Sequence, residues 1–186
     1  MGDILRAIGS FFLDIIETIV VALAIFVVIY LFLFQPHQVK GASMENNFHD
    51  NEYILTDKIS YKFTQPKRGE VVIFKAPRNP ELDFIKRVIG LPGDRVKIEN
   101  GKVVLNGSVL EEKYLSSTVT TQPGSYMTEG KEVIAAPNHY IVLGDNRNHS
   151  SDSREWGPVD INEIIGKAFF RYWPPHKIGL IPEVKY

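Results

Sequence analysis

The sequence predicts a mainly β protein, in which a single N-terminal transmembrane helix is followed by an antiparallel β-sheet domain. The first observation is the apolar run Ile19–Phe34, which contains no charged residue. The second is a series of short runs rich in β-branched and aromatic residues, separated by turn-forming residues. The third is the close pair Asn100-Gly101 and Asn106-Gly107, because Asn-Gly suits the positive φ angles of tight hairpin turns.

The composition narrows the possible partners. The 186 residues carry 21 lysines and arginines against 22 aspartates and glutamates, so the chain is nearly neutral. Nucleic-acid-binding domains usually show a basic face, and we therefore predict no nucleic-acid partner. The chain has no cysteine, which excludes disulfides and cysteine-bound zinc.

Residues 1–34 are predicted to form an N-terminal segment and membrane anchor. Counted from Ile15, the apolar stretch spans 20 residues, interrupted only by Glu17 and Thr18. A helix of that length measures about 30 Å, the thickness of a bilayer core. A cleaved signal peptide would have a shorter apolar core and small residues before its cleavage point, so an uncleaved anchor is favoured over it and over a buried soluble helix. The flanking charges leave the orientation open.

Residues 35–186 are long enough for one compact β-rich domain. Residues 100–138 are predicted to be a small hairpin and loop insertion, since Gln122–Glu132 is polar and rich in turn formers. Ile161–Ile164 is predicted to form a single helical turn. Strands are predicted at Tyr53–Thr56, Val71–Phe74, Phe84–Ile89, Arg95–Glu99, Lys102–Leu105, His139–Leu143 and Ile165–Trp173.

The strand that opens Phe84–Asp94 carries two adjacent cations. Side chains alternate across a strand, so Lys86 shares a face with Phe84 and Val88 while Arg87 lies on the other face. A lysine among apolar groups can lose its proton and act as a base, whereas an arginine stays charged. The alternative is that both cations reach water from a half-buried strand.

Two further stretches could carry chemistry. Gly41–Met44 begins seven residues after the apolar run ends, so a nucleophile at Ser43 would act close to the membrane. Alone, such a serine is usually a turn residue, and neither G-x-S-x-G nor S-x-x-K fits it. Gly144–Arg154 (G-D-N-R-N-H-S-S-D-S-R) packs polar side chains after a predicted strand. It could be an exposed loop held by Asp–Arg pairs.

Metal and histidine chemistry are less favoured. The loop's Asp145, His149 and Asp152 match no ligand spacing of a known metal site, and we predict no metal. A Ser-His-Asp triad stays open because triads are defined in space, but we rank it below a serine–lysine pair. The remaining histidines are His37, His49, His139 and His176.

Taken together, these stretches resemble bacterial type I signal peptidases, the membrane-anchored serine–lysine endopeptidases, in their short Gram-positive-like form. Four boxes occur in the family's order, and a closing strand with Gly166 and Trp173-Pro174 follows. The sequence departs from the family pattern at Glu70, at Asn46-Asn47-Phe48 and at His149. The boxes are Gly41–Met44, Arg68–Phe74, Lys86–Asp94 and Gly144–Arg154.

The resemblance implies a catalytic apparatus without a cofactor. Ser43 would be the nucleophile and Lys86 the general base, and the backbone N–H of Ser43 would hold the oxyanion. Gly41 stands where part of the family has a hydroxyl, so the second oxyanion donor is unassigned. The remaining implied roles belong to the loop: Ser150 orients the lysine amine, Asp152 and Arg154 brace the site as an ion pair, and Asp145 and Arg147 fold the loop.

The resemblance also implies a substrate and a location. Signal peptides of exported preproteins would bind as an extended strand between Gln38–Ala42 and Asp83–Ile85, and cleavage would follow small residues in Ala-x-Ala sites. The catalytic domain would face outward on the membrane, the N-terminus would face inward, and the protein would be a monomer. Aromatics near the end of the chain, Phe169, Phe170, Tyr172 and Trp173, would either touch lipid or pack in the core. The implied pocket residues are Val39, Met44, Phe48, Phe84 and Ile85.

Two other functions are compatible with the same residues. A self-cleaving serine–lysine protease would share the catalytic pair, but the apolar N-terminal run and the lack of a DNA-binding segment argue against it. A membrane-tethered domain that binds peptides without cleaving them is the other, and the intact Ser43 and Lys86 argue against that.

Overall fold

The computed structural model describes residues 2–184 and Tyr186, and it begins with one long helix. Helix α1 spans Gly2–Leu33. Within it, Phe11–Tyr30 is long and apolar enough to cross a membrane, and none of that stretch is buried against the rest of the described chain. By its length and composition this stretch is a candidate membrane span.

The main sheet contains eight strands within the described residues, and every pairing in it is antiparallel. Its order is β1-β2-β11-β3-β4-β9-β10, with β12 pairing to β11. The strands are β1 Phe34–Gln38, β2 Tyr53–Asp57, β3 Val71–Ala76, β4 Asn79–Gly90, β9 His139–Leu143, β10 Val159–Asp160, β11 Ile164–Trp173 and β12 Gly179–Leu180.

A smaller sheet of four strands, counted over the same described residues, lies between β4 and β9 in the chain. Its hairpin turns at Asn100-Gly101, where φ is 50° and 72°, as the Asn-Gly pair predicts. Two helical turns, α2 Ser60–Phe63 and α3 Ser153–Trp156, complete the labelled elements. The four strands of the smaller sheet are β5 Arg95–Glu99, β6 Lys102–Leu105, β7 Ser108–Val109 and β8 Val133–Ile134.

The predicted fold class is confirmed, because an antiparallel β domain follows one N-terminal apolar helix. The predicted strands all form, and Ile161–Glu163 makes the expected helical turn, which is a 3-10 turn. Strand β1 was missed. It follows α1 without a break, and its Pro36 lies on an edge strand, where a missing N–H is tolerated.

Candidate active site

Ser43 lies in a tight turn after β1, and Lys86 lies on β4. The turn is closed by a hydrogen bond from the Glu45 N–H to the Ala42 carbonyl at 3.1 Å. Lys86 Nζ is 2.8 Å from Ser43 Oγ and donates to the carbonyl of Ile85, also at 2.8 Å. The structure thus brings together two residues that are 43 positions apart in the chain.

Neither cation of β4 reaches water. Lys86 and Arg87 are each 3% exposed, so the alternative of two solvated cations on a half-buried strand is wrong. Burial lowers the pKa of Lys86 from 10.5 to about 8, because the ammonium loses its hydration. Asp152 and Asp145 oppose this shift, while the positive charge of Arg154 adds to it.

Asp145 pairs with Arg87. The Arg87 guanidinium donates from Nε to Oδ1 at 2.8 Å and from Nη2 to Oδ2 at 2.6 Å, which is a bidentate pair. It also donates to the Gly69 carbonyl and stacks on the ring of Tyr114. Asp145 therefore joins the loop to β4.

Asp152 and Arg154 form the expected ion pair. Arg154 donates from Nε to Oδ1 and from Nη2 to Oδ2, each at 2.7 Å. Asp152 also accepts from the N–H of Gly144 at 3.0 Å and caps α3 through the N–H of Arg154. One buried carboxylate therefore ties both ends of the Gly144–Arg154 loop together.

Arg147 fastens the same loop to the insertion that carries the smaller sheet. Its buried guanidinium donates to the Gly144 carbonyl at 3.0 Å, to Thr121 Oγ1 at 2.6 Å and to the carboxylate of Glu112. Burial alone would lower the pKa of Arg147, but the hydrogen bonds that it donates to the Glu112 carboxylate raise it. Sequence reasoning missed Glu112 and Thr121, because a single carboxylate or hydroxyl in a polar stretch gives no signal of a distant partner.

Ser150 is placed beside the nucleophile segment but does not make the expected bond to the lysine. Its Oγ is buried and has no hydrogen-bond partner among the described residues. A Cβ added to Gly144 would lie 2.1 Å from Ser150 Oγ and 2.5 Å from the Ser43 carbonyl oxygen, so only glycine fits between them. An orienting role for Ser150 remains a prediction.

A cavity of about 240 Å³ opens beside Ser43 and Lys86. Three predicted pocket residues, Val39, Phe84 and Ile85, line it. Met44 and Phe48 do not: they are 0% and 1% exposed, because the turn after Ser43 folds these large apolar side chains into the core behind the cavity. Gln38, Lys40 and Asp83, which belong to the predicted substrate-binding edges, also line it. Sequence reasoning missed the remaining members of the wall, His37, Ile54, Ile73 and Ser151.

Two strand edges next to this cavity are free in the described part of the chain. Strand β1 pairs with β2 alone. Strand β4 pairs with β3 along one edge, but its other edge meets β9 only from Arg87 onward. The unpaired backbone of Asp83–Lys86 and that of β1 are the kind of edge to which an extended peptide can add.

The structure does not support a histidine triad or a metal site in the described residues. His37 contacts Thr56, His49 contacts Glu52 and His139 contacts Asp160, and Ser43 Oγ has Lys86 as its side-chain partner. Over residues 2–184 and 186, no group of three His, Cys, Asp or Glu side chains is arranged to hold a metal ion.

The chain resembles known proteins along most of its length. The family model described as signal peptidase, peptidase S26, matches residues 12–173. A probable signal peptidase I-2 from Synechocystis sp. is 37% identical over 92% of this chain and 78% of its own length. Signal peptidase IB from Staphylococcus aureus is 38% identical over 87% of this chain and 90% of its own length.

A solved structure of a signal peptidase I from Enterococcus faecalis also resembles this chain. It is 29% identical, with a TM-score of 0.47, and the similarity covers 56% of this chain and 97% of that one. The family match over most of the chain, together with relatives that are more than a third identical, decides the assignment. This chain belongs to the peptidase S26 family of signal peptidases, and it is an endopeptidase.

Proposed function

We propose that this protein removes N-terminal signal peptides from exported preproteins, with Ser43 as the nucleophile and Lys86 as the general base. The observation that carries the proposal is the 2.8 Å contact between Lys86 Nζ and Ser43 Oγ. Burial lowers the pKa of that lysine to about 8, so a useful fraction of the amine is neutral near neutral pH. Membership of the signal peptidase family supports the substrate class.

The reaction follows from the neutral amine. The Ser43 hydroxyl donates to the lone pair of Lys86 Nζ, and as Oγ attacks the scissile carbonyl carbon its proton passes to Nζ. The resulting ammonium gives that proton to the leaving amine, which leaves an acyl-enzyme. Water then attacks the ester while Lys86 removes its proton, and the acid product departs with Ser43 restored.

The backbone N–H of Ser43 is the proposed oxyanion donor. Gly41 has no side-chain hydroxyl, and its own N–H donates to Asp50 Oδ1 at 2.7 Å. The Gly41 N–H is therefore already engaged, and the Ser43 N–H is the donor that we assign.

The substrate would lie as an added strand between the free edges of β1 and β4. Backbone hydrogen bonds to both edges would supply affinity, and side chains would enter the cavity alternately. Val39, Ile54, Ile73 and Ile85 line this space with apolar side chains, so an apolar residue such as alanine would suit it. This supports cleavage after Ala-x-Ala.

The proposal includes an anchored, monomeric enzyme. Phe11–Tyr30 would span the bilayer, with the N-terminus inside and residues 35–186 on the outer face, where signal peptides emerge. Because β1 begins one residue after α1 ends, Ser43 would work close to the lipid surface. Half-exposed Trp173 and exposed Leu180 would lie at that interface.

Cleavage of an Ala-x-Ala signal-peptide substrate in detergent, measured from about pH 6 to about pH 11, tests this function. Lys86 must be neutral to act, so we expect kcat/KM to fall about tenfold per pH unit below pH 8. Ser43→Ala and Lys86→Ala should abolish cleavage, while the exposed control Ser108→Ala should leave it intact. Persistent cleavage by Ser43→Ala would refute the nucleophile assignment, and a wild-type enzyme that cleaves only its own chain would refute the substrate class.

A further inference from the structure

The cavity beside Ser43 and Lys86, together with the free edges of β1 and β4, forms a cleft. The wall of this cleft is built from two layers of side chains. Residues two positions apart on a strand share a face, so strands β1 to β4 can each supply one residue to each layer. Val39, which supplies β1's apolar member, follows directly after that strand. The apolar layer consists of Val39, Ile54, Ile73 and Ile85, and the polar layer consists of His37, Thr56, Lys75 and Asp83.

In the polar layer, His37 and Asp83 reach the cavity while the other two members hold them from behind. His37 Nδ1 is 2.8 Å from Thr56 Oγ1, and Lys75 Nζ donates to Asp83 Oδ1 at 2.7 Å. His37 Nε2 lies 3.3 Å from Asp83 Oδ2. This contact spans the cleft from β1 to β4.

The imidazole nitrogen that faces Asp83 is not satisfied. His37 Nε2 is buried, and its 3.3 Å contact with Asp83 Oδ2 lacks the alignment of a hydrogen bond among the described residues. Burial lowers the pKa of His37, outweighing Asp83, so the ring is neutral at neutral pH. If Nδ1 accepts from the Thr56 hydroxyl, Nε2 carries the proton. The end of the cleft then offers an N–H donor beside a carboxylate acceptor.

A hydroxyl group matches this arrangement, because it can accept one hydrogen bond and donate another. We propose that His37 and Asp83 form a polar subsite that binds a serine or threonine side chain of the signal peptide, at the third residue before the scissile bond. The inference rests on the proposed function. A valine side chain of nearly the same shape could fill the space but could not bridge the two groups.

The position follows from the strand geometry. Asp83 precedes Ile85, the β4 member of the apolar layer, by two residues, which is about 7 Å at the usual rise of an extended chain. A peptide added to that edge advances by the same distance per residue. Its first and third residues before the scissile bond therefore point to the same side, the first toward the apolar layer and the third toward His37 and Asp83.

Two signal-peptide substrates that differ only at this third residue, threonine against valine, test the subsite. The readout is the ratio of their kcat/KM values in one enzyme preparation, so the fraction of folded enzyme cancels. We expect wild type to favour threonine and His37→Phe to lower the threonine-to-valine ratio about tenfold, the usual effect of a buried hydrogen bond. Asp83→Ala leaves the bond between His37 and Thr56 in place and should lower the ratio as well.

The control is His139→Phe, because His139 lies on β9 beside Asp160 and does not line the cleft. It should keep the wild-type ratio. If wild type cleaves both substrates and the ratio is the same in His37→Phe and Asp83→Ala, the subsite is wrong while the proposed function stands. If wild type cleaves neither these peptides nor the Ala-x-Ala substrate, the proposed function fails and this inference fails with it.

Discussion

Each face of β4 holds a buried cation, and the surroundings shift the pKa of the two cations in opposite directions. Lys86 and Arg87 are adjacent and equally buried, at 3% exposure each. On one face Lys86 finds a hydroxyl and a carbonyl oxygen as partners, and its pKa falls to about 8. On the other face Arg87 finds the carboxylate of Asp145, which raises its pKa even though burial alone would lower it.

The difference lies in where the carboxylates form their bonds. Asp145 and Asp152 both act on Lys86 at a distance, and both raise its pKa. Each of them, however, forms its salt bridge with an arginine, Asp145 with Arg87 and Asp152 with Arg154. The arginines therefore keep the lysine without a salt bridge, and an unpaired buried ammonium tends to lose its proton.

The largest expected effect comes from Lys86→Met, which removes the unpaired cation and keeps an apolar side chain of similar length. Cleavage should fall by roughly 10³-fold or more, because the general base is gone. The protein should become more stable by up to roughly 3 kcal/mol below pH 8, since wild type must bury a charged lysine there. Chemical unfolding at several pH values measures this gain.

The sign of the pH effect follows from the direction of the shift. The folded-state pKa of Lys86 is lower than its unfolded value of 10.5, so the unfolded chain binds more protons between about pH 8 and that value. Wild-type stability from this group should rise across that window, and the advantage of Lys86→Met should disappear above it. Lys167→Met is the matched control, because Lys167 pairs with Glu70 at 2.8 Å and its removal should not stabilise the protein. An equal gain in stability in Lys86→Met and Lys167→Met would show that the unpaired charge of Lys86 is not the source of the gain.

Arg87→Met removes the cation on the opposite face of β4, and we expect it to have the second largest effect. It leaves the buried carboxylate of Asp145 without its bidentate partner, which typically costs about 3–5 kcal/mol of unfolding free energy. Urea denaturation measures the loss. The double variant Arg87→Met with Asp145→Asn removes the stranded charge and should recover part of it. A single variant as stable as wild type would show that the pair does not stabilise the loop.

The local patterns of the sequence predicted the strand that carries both cations. Alternation placed Lys86 and Arg87 on opposite faces, and the Asn-Gly pairs marked the hairpin turns. Which cation would be paired could not be predicted, because Asp145 is 58 residues from Arg87 and no local pattern joins them. The same holds for the partnership of Arg147 with Glu112, which are 35 residues apart.

The prediction of two pocket residues, Met44 and Phe48, failed for a different reason. Met44 and Phe48 follow the nucleophile in the sequence, and the family resemblance implied that they line the cavity. Their apolar side chains are buried instead, and the cavity takes its wall from four different strands. That arrangement depends on how the sheet curves, which no single stretch of sequence encodes.

The prediction with the smallest expected effect concerns the contacts that hold Arg154 against the insertion, residues 100–138. The N–H groups of Tyr126 and Met127 both donate to the Arg154 carbonyl, at 2.9 and 3.0 Å, and the Arg154 guanidinium donates to the Gln122 carbonyl at 3.1 Å. Gly124 lies inside this contact. A Cβ added there would be 2.3 Å from the Arg154 carbonyl oxygen, so the backbone must move to admit one.

Gly124→Ala should therefore raise the pKa of Lys86 slightly, in the direction seen for Arg87. Displacing Arg154 weakens its hold on Asp152 and removes a positive charge that lowers the pKa of Lys86. The acidic limb of the kcat/KM profile should move to higher pH by about one unit, which costs about tenfold in rate below pH 8 and little on the alkaline plateau. Gly179→Ala, where an added Cβ meets no atom within 4 Å, should keep the wild-type profile. A uniform loss of rate at every pH would instead mean that the contact around Gly124 acts on the geometry of the site and leaves the proton affinity of Lys86 unchanged. A change of charge moves the acidic limb of the profile, whereas a change of position lowers its plateau.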